Sequence, residues 1–120
     1  MKFHQMILDG GVSGKKRLIK AETLQLMSMN HTGELKAGFS DGMGMGLGFQ
    51  VVREPVGVTS MLSPGTFGHG GAHGTQGWID PVTHTIYILL IQRTGLKPNG
   101  DCSPMREAFQ QAAAKAMKQP

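Results

Sequence analysis

Apolar residues recur at helical spacing in two short stretches near the start of the chain. Phe3, Met6 and Ile7 share one face of Lys2 to Asp9, and Gly10-Gly11 supplies a C-terminal stop, so a helix of about two turns is predicted there. Leu24, Met27 and Leu26 predict a second helix over Ala21 to Met29, closed by Asn30-His31-Thr32-Gly33. The residues between them, Lys15-Lys16-Arg17 after Gly14, read as a basic loop. From Gly42 the period changes to two. Met43, Met45, Leu47, Phe49 and Val51 alternate with Gly44, Gly46, Gly48 and Gln50, which predicts one strand with a bulky face and a bare face. A bare glycine face admits either a ligand or the backbone of a packed helix.

Glu54 to Pro64 reads as a loop with two prolines and room for a short strand of its own. Thr66 to Gly71 and Thr75 to Ile79 read as two strands around the turn Gly71-Ala72-His73-Gly74, and Asp80-Pro81 turns the chain toward Thr85 to Gln92. That last strand is apolar on both faces from Ile86 to Ile91, the pattern of a strand covered on both sides. Ser103 as N-cap and Pro104 as first helical residue open a final helix with Met105, Ala108, Phe109, Ala112 and Ala116 on its inner face. The fold class is α+β: two N-terminal helices, an antiparallel sheet of about four strands and a C-terminal helix, without internal repeat.

Composition narrows what such a fold can do. At 120 residues with 39% apolar and 17% charged positions, the chain reads as a single domain, residues 1–120, with one modest core, and it excludes a large enzyme. Twelve of its 18 glycines lie between Gly38 and Gly77, so the glycine excess is local. The net charge of +4 is already reached in the first twenty residues, through Lys2, Lys15, Lys16, Arg17 and Lys20 against Asp9. A cluster confined to one loop is a solvated feature rather than the spread basic face of a nucleic-acid binder, so no nucleic-acid partner is expected. Cys102 is the only cysteine, which excludes an internal disulfide, and it reads as a small residue ahead of the helix cap. No run approaches a membrane span and no signal peptide is visible, so no membrane partner is expected and the sequence as it stands reads as cytoplasmic.

Candidate chemistry is sparse. His69 and His73 are four apart but lie on a strand and its turn rather than on a helix, and no third ligand is evident, so no metal and no cofactor is expected. His4, His31 and His84 have no local partners and read as surface or cap residues. Ser13-Gly14-Lys15-Lys16 matches Ser-x-x-Lys in letters alone, because that chemistry needs the serine at the start of a buried helix and this one sits in a loop between glycines.

The densest motif is Phe67-Gly68-His69-Gly70-Gly71-Ala72-His73-Gly74-Thr75-Gln76-Gly77-Trp78-Ile79-Asp80-Pro81. With Gly44-Met45-Gly46-Leu47-Gly48-Phe49 before it and Ser103-Pro104-Met105-Arg106 after it, the chain resembles the C-terminal portion of the serine β-lactamase and penicillin-binding-protein superfamily, most of all class C-like β-lactamases and their esterase relatives. The resemblance implies a partial β-lactamase-like fold and a serine-hydrolase ancestry. Of the three motifs that build the site in that family, only the Lys-Thr-Gly type strand has a counterpart, at His69-Gly70-Gly71, and the resemblance makes the backbone N–H of Ala72 one donor of an oxyanion hole. Loss of the lysine and threonine removes the groups expected to hold a β-lactam carboxylate and implies ester or peptide-like substrates.

The other two motifs have no counterpart by that resemblance. Tyr87 is the only tyrosine, lies in the apolar strand, and is followed by Leu89 where the Tyr-x-Asn motif has its asparagine. The chain therefore resembles the last third of such an enzyme and is expected to be inactive alone. The strands that pair beside the equivalent of Thr85 to Gln92 also lack a counterpart, which leaves the Ile86 to Ile91 run as an open edge. The expectation is a homo-oligomer, paired through that edge or by exchange of the C-terminal helix. A stand-alone assembly or small-ligand or peptide-binding module using the glycine-rich wall is the second reading.

Overall fold

Helix α1 (Lys2–Leu8) stops where Gly10 and Gly11 take positive φ and their N–H groups bond back to the carbonyls of Ile7 and Met6, at 3.0 and 2.9 Å. The computed structural model describes residues 1–117, and all that follows concerns these. The basic segment differs from the expected loop: β1 (Val12–Ser13) and β2 (Lys16–Arg17) pair antiparallel in a small hairpin, Val12 opposite Arg17 and Ser13 opposite Lys16. Arg17 fixes its base by donating to the carbonyls of Gly10 and Ile19 at 2.7 and 3.2 Å. Helix α2 (Ala21–Ser28) buries Leu24 and half-buries Met27, whereas Leu26 points outward at 49% exposure. His31 caps this helix through Nε2, 2.7 Å from the Leu26 carbonyl.

The Gly42 to Val51 alternation is two strands, not one. β3 (Met43–Met45) and β4 (Gln50–Val52) form a tight hairpin, Met45 opposite Gln50, with the Gly46 N–H on the Phe49 carbonyl at 2.7 Å. Gly48 sits at φ +90° in the turn, a conformation that costs other residues about 1 kcal/mol or more. Leu47, expected inside, is at the turn and 55% exposed. A side chain on Gly46 would strike the carbonyls of Met27 and Met29, and one on Gly44 would strike Asn30. The bare face is thus covered by the end of α2 and its following turn, so the packed-backbone alternative holds there. Glu54 to Pro64 contains a 3-10 turn at Gly57–Thr59 and no strand.

The remaining strands are β5 (Phe67–Gly70), β6 (Gln76–Asp80) and β7 (Thr85–Leu89). Five strands, one more than expected, run in the order β3-β4-β5-β6-β7 with every neighbour antiparallel. β7 ends three residues earlier than the Thr85 to Gln92 pattern suggests, and it is an edge strand with β6 as its only neighbour among the described residues. Leu90, just beyond it, is 79% exposed.

Period-two alternation sends the apolar side chains to two layers. Val51, Phe67 and Ile79 meet Met6, Ile7 and Leu24 on the α1 and α2 side, while Met43, Val52, Trp78 and Tyr87 form a second cluster with Leu62 beneath the last helix. That helix, α3 (Pro104–Met117), starts as expected: the Ser103 hydroxyl accepts the Arg106 N–H at 3.2 Å. Its inner face is different. Arg106 and Gln110 are completely buried with Phe109 and Ala113 beside them, whereas Ala108, Ala112 and Ala116 face solvent. Small alanines mark a helix face poorly because they are tolerated equally inside and outside. No helix among the described residues is long and apolar enough to cross a membrane.

Candidate functional site

β5 carries His69 and Gly70 to the end of the sheet, where Gly71 and Ala72 begin the turn into β6. Two loops far apart in sequence close on this turn. A Cβ on Gly100 would lie 2.6 Å from the Gly71 carbonyl oxygen, one on Gly74 would lie 2.6 Å from Leu96, and one on Gly70 would overlap the Asp101 carboxylate. These glycines are therefore needed for contact, and they clamp the 95–101 segment against the turn. Between them opens a cleft of about 450 Å³, lined by His69, Gly70, Gly71 and Ala72 on one side and by Gly95, Leu96 and the Pro98 to Asp101 stretch on the other. Phe39, 69% exposed, and Gln50, buried on β4, complete it.

The backbone donors of the turn are unequally used. Gly71 N–H bonds to the Thr75 carbonyl at 2.8 Å and Gly74 N–H to the Gly71 carbonyl at 2.9 Å. The N–H of the exposed, cleft-lining Ala72 has no hydrogen-bond partner among the described residues. His69 Nδ1 lies 2.6 Å from the Gly70 carbonyl oxygen. A carbonyl only accepts, so Nδ1 carries the proton, and in the neutral ring Nε2 keeps its lone pair.

Beneath the cleft, Asp101 is 7% exposed, and one of its carboxylate oxygens accepts from the Gln76 amide at 3.4 Å. The Arg106 guanidinium donates to the Asp101 main-chain carbonyl at 2.8 Å and to Ser40 at 3.5 Å, and stacks 4.4 Å over the Trp78 ring. Ser40 in turn bonds the same Asp101 carbonyl at 3.3 Å, and the Cys102 thiol donates to the Phe39 carbonyl at 3.2 Å. These bonds tie the Phe39 wall to the Asp101 floor. Burial lowers the Arg106 pKa, with Asp101 and Cys102 opposing that effect, and its Nε and Nη2 groups are buried without partners.

The structure keeps the other candidate residues away from this cleft. Ser13 and Lys16 face each other as exposed partners on the β1–β2 hairpin, so the Ser-x-x-Lys letters lie on no helix and outside this cleft. Tyr87 is buried in the Trp78 cluster and lines a separate cavity of about 140 Å³ with Met61 and Thr85; burial raises its phenol pKa. His73 is exposed on the turn, and among the described residues no three His, Cys, Asp or Glu side chains group as metal ligands.

His4 departs from its expected surface role. Its ring lies over Gly77, where a Cβ would come within 2.6 Å, and it shares a cavity of about 270 Å³ with His69, Phe49 and Ile88. Burial, with the N-terminal ammonium adding to it, lowers the His4 pKa. Asp101, Arg106 and Phe39 were invisible as site residues in the sequence. The available signal was indirect: an Asn-Gly-Asp turn directly before a helix cap, which geometry then folds back onto the β5 turn.

Comparison with known proteins agrees with this architecture. The beta-lactamase family model matches residues 1–110. Protein Rv1367c of Mycobacterium tuberculosis is 33% identical over 102 residues, covering 77% of this chain and 25% of its own length. A putative D-alanyl-D-alanine carboxypeptidase of Escherichia coli K12 is 34% identical over 86 residues, covering 72% of this chain and 19% of its own. With an interlocked turn at the His69-Gly70-Gly71 strand and a family match over most of its length, the chain belongs to the beta-lactamase family of hydrolase-like proteins. It spans a quarter or less of the length of these curated relatives.

Proposed function

We propose that this chain forms the oxyanion-side wall of a β-lactamase-like serine hydrolase site that acts on ester or peptide-like acyl groups, and that it does not turn over substrate by itself. The observation that carries this reading is the Ala72 N–H, free at the edge of the cleft while its neighbours on Gly71 and Gly74 are spent inside the turn. A preorganised donor of that kind stabilises the oxygen of a tetrahedral intermediate. The Ser13 and Lys16 positions on an exposed hairpin support the absence of an acylating pair within the described residues. The name of the Escherichia coli relative, a putative carboxypeptidase, supports a peptide-like acyl group.

A chromogenic ester and a chromogenic cephalosporin test this directly. The expected outcome is no turnover by the 120-residue chain, and ester turnover when it is joined to a family segment bearing Ser-x-x-Lys and Tyr-x-Asn. Turnover by the chain alone that Ser13→Ala abolishes would overturn the reading. A cleft already formed by interlocked glycines also favours a second role, a ligand-binding module, which ligand-induced thermal shifts of the inactive chain would support.

The proposal extends to assembly. β7 has one strand neighbour among the described residues and carries the half-buried Ile86, Ile88 and Leu89, a combination that seeks a further strand. The occupant is the β7 strand of a second copy, in a two-fold antiparallel pair. Light scattering at micromolar concentration should give a dimer mass, and a Ile88→Lys chain should run as a monomer; a wild-type monomer rejects the pairing.

A further inference from the structure

We infer that the cleft contains a cation subsite, built on the Asp101 carboxylate, and that it selects acyl compounds carrying a protonated amine over neutral or anionic ones. This deepens the wall reading above and rests on it for the position of the acyl group. Asp101 is more than nine-tenths buried and lines the cleft. Its carboxylate crosses Gly70, the one strand position whose missing side chain leaves room for it. One oxygen accepts from Gln76 at 3.4 Å; the other has no hydrogen-bond partner among the described residues and is not fully enclosed.

The cleft lining brings no fixed positive charge to the carboxylate. No lysine or arginine lines this cleft: Arg93 and Lys97, on the neighbouring loop, line a different cavity. Arg106, beneath the cleft, binds the main-chain carbonyl of Asp101 and feels the charge of its carboxylate, but forms no ion pair with it among the described residues. A carboxylate held in a partly desolvated wall attracts an ammonium group more strongly than one in bulk water. It repels a carboxylate placed at the same point for the same reason.

Three ligands that differ only at one nitrogen decide the matter: alanine p-nitroanilide, whose amine is mostly charged at about pH 7, N-acetylalanine p-nitroanilide, and N-succinylalanine p-nitroanilide. Their affinities for the full 120-residue chain are read from amide chemical shifts of residues 69–72 and 99–102. The amine should bind about tenfold more tightly than the acetamide, as expected for a hydrogen bond between charged groups, and the succinyl compound more weakly than either. Asp101→Asn should erase the preference for the amine over the acetamide. An acetamide that binds as well as the amine overturns the cation subsite and leaves the wall reading standing. Binding of none of the three overturns both. A preference that survives Asp101→Asn also rejects the assignment. Should that variant fail to fold, the three ligands on the wild-type chain decide by themselves.

Discussion

The two faces of the sheet are built by different rules. On the side of α1 and α2, Val51, Phe67 and Ile79 pack against Met6, Ile7 and Leu24, an apolar layer of the ordinary kind. On the α3 side, Trp78 lies under a buried arginine, and Gln50, Gln76, Asp101, Ser103 and Gln110 are buried as well. The apolar face holds the sheet together through area removed from water. The polar face also fixes where loops go, because the hydrogen bonds that Arg106, Ser40 and Gln76 make to the Asp101 segment are met by few geometries. The cleft lies where the polar layer meets the end of β5, which separates it from the α1 and α2 layer.

Substitutions can break that separation. The largest effect is expected from Trp78→Ala, which removes the fully buried ring from both the apolar cluster and the Arg106 stack; it should cost about 3–5 kcal/mol in chemical denaturation followed by circular dichroism. Ile79→Val, on the opposite face, should cost about 0.5–1.5 kcal/mol and leave the ligand affinity of the remaining folded chain unchanged. Between these, Arg106→Met should cost about 1–3 kcal/mol, for the acceptors on Asp101 and Ser40 that it abandons, and should weaken ligand binding at the cleft by releasing the Asp101 floor. Equal losses of affinity for Ile79→Val and Arg106→Met, once folding is accounted for, would show that the two layers do not divide the work.

The smallest effects concern pH, and each face has its own titrating group. Burial lowers the His4 pKa on the apolar face, so the unfolded chain binds the proton more readily; the stabilisation is complete above the ordinary value of 6.5 and is lost as pH falls through the folded value. For Asp80, on the polar face, burial alone would raise the pKa, but the N–H groups of Thr83, Ser63 and Val82 prevail and hold it below 3.8. Its contribution is complete above that value and fades at still lower pH. Denaturation midpoints measured across pH should thus show two separate declines. His4→Gln removes the upper one and Asp80→Asn the lower, and a single decline unaffected by His4→Gln would contradict this account.

The apolar face was legible in the sequence because its residues repeat with the period of the element that carries them: Met6 and Ile7 on α1, Leu24 on α2, Phe67 and Ile79 on alternate strand positions. The polar face was not. Arg106 and Gln110 are spaced one helical turn apart, but the letters of an arginine and a glutamine signal solvent, and only tertiary packing reverses that. The β3–β4 hairpin escaped for a related reason: Gly48, which makes the turn, continues the glycine alternation of the strand before it, so one period concealed a reversal of direction. The His69-Gly70-Gly71 strand was recognisable as a motif, yet the residues facing it come from a loop thirty positions later whose approach is decided by the absence of side chains at Gly70, Gly74 and Gly100.

Those three glycines have a further consequence for how this site can change. Where two loops meet through side chains, a substitution can be absorbed by a neighbouring rotamer, and a pocket widens or narrows in small steps. Here carbonyl and carboxylate groups rest directly in the spaces left at Gly70 and Gly100, with no adjustable layer between them. The width of the cleft is therefore set by backbone geometry. New ligand preferences can arise from what the wall presents, at Phe39, His69 and Asn99, but not by gradual resizing of the gap itself.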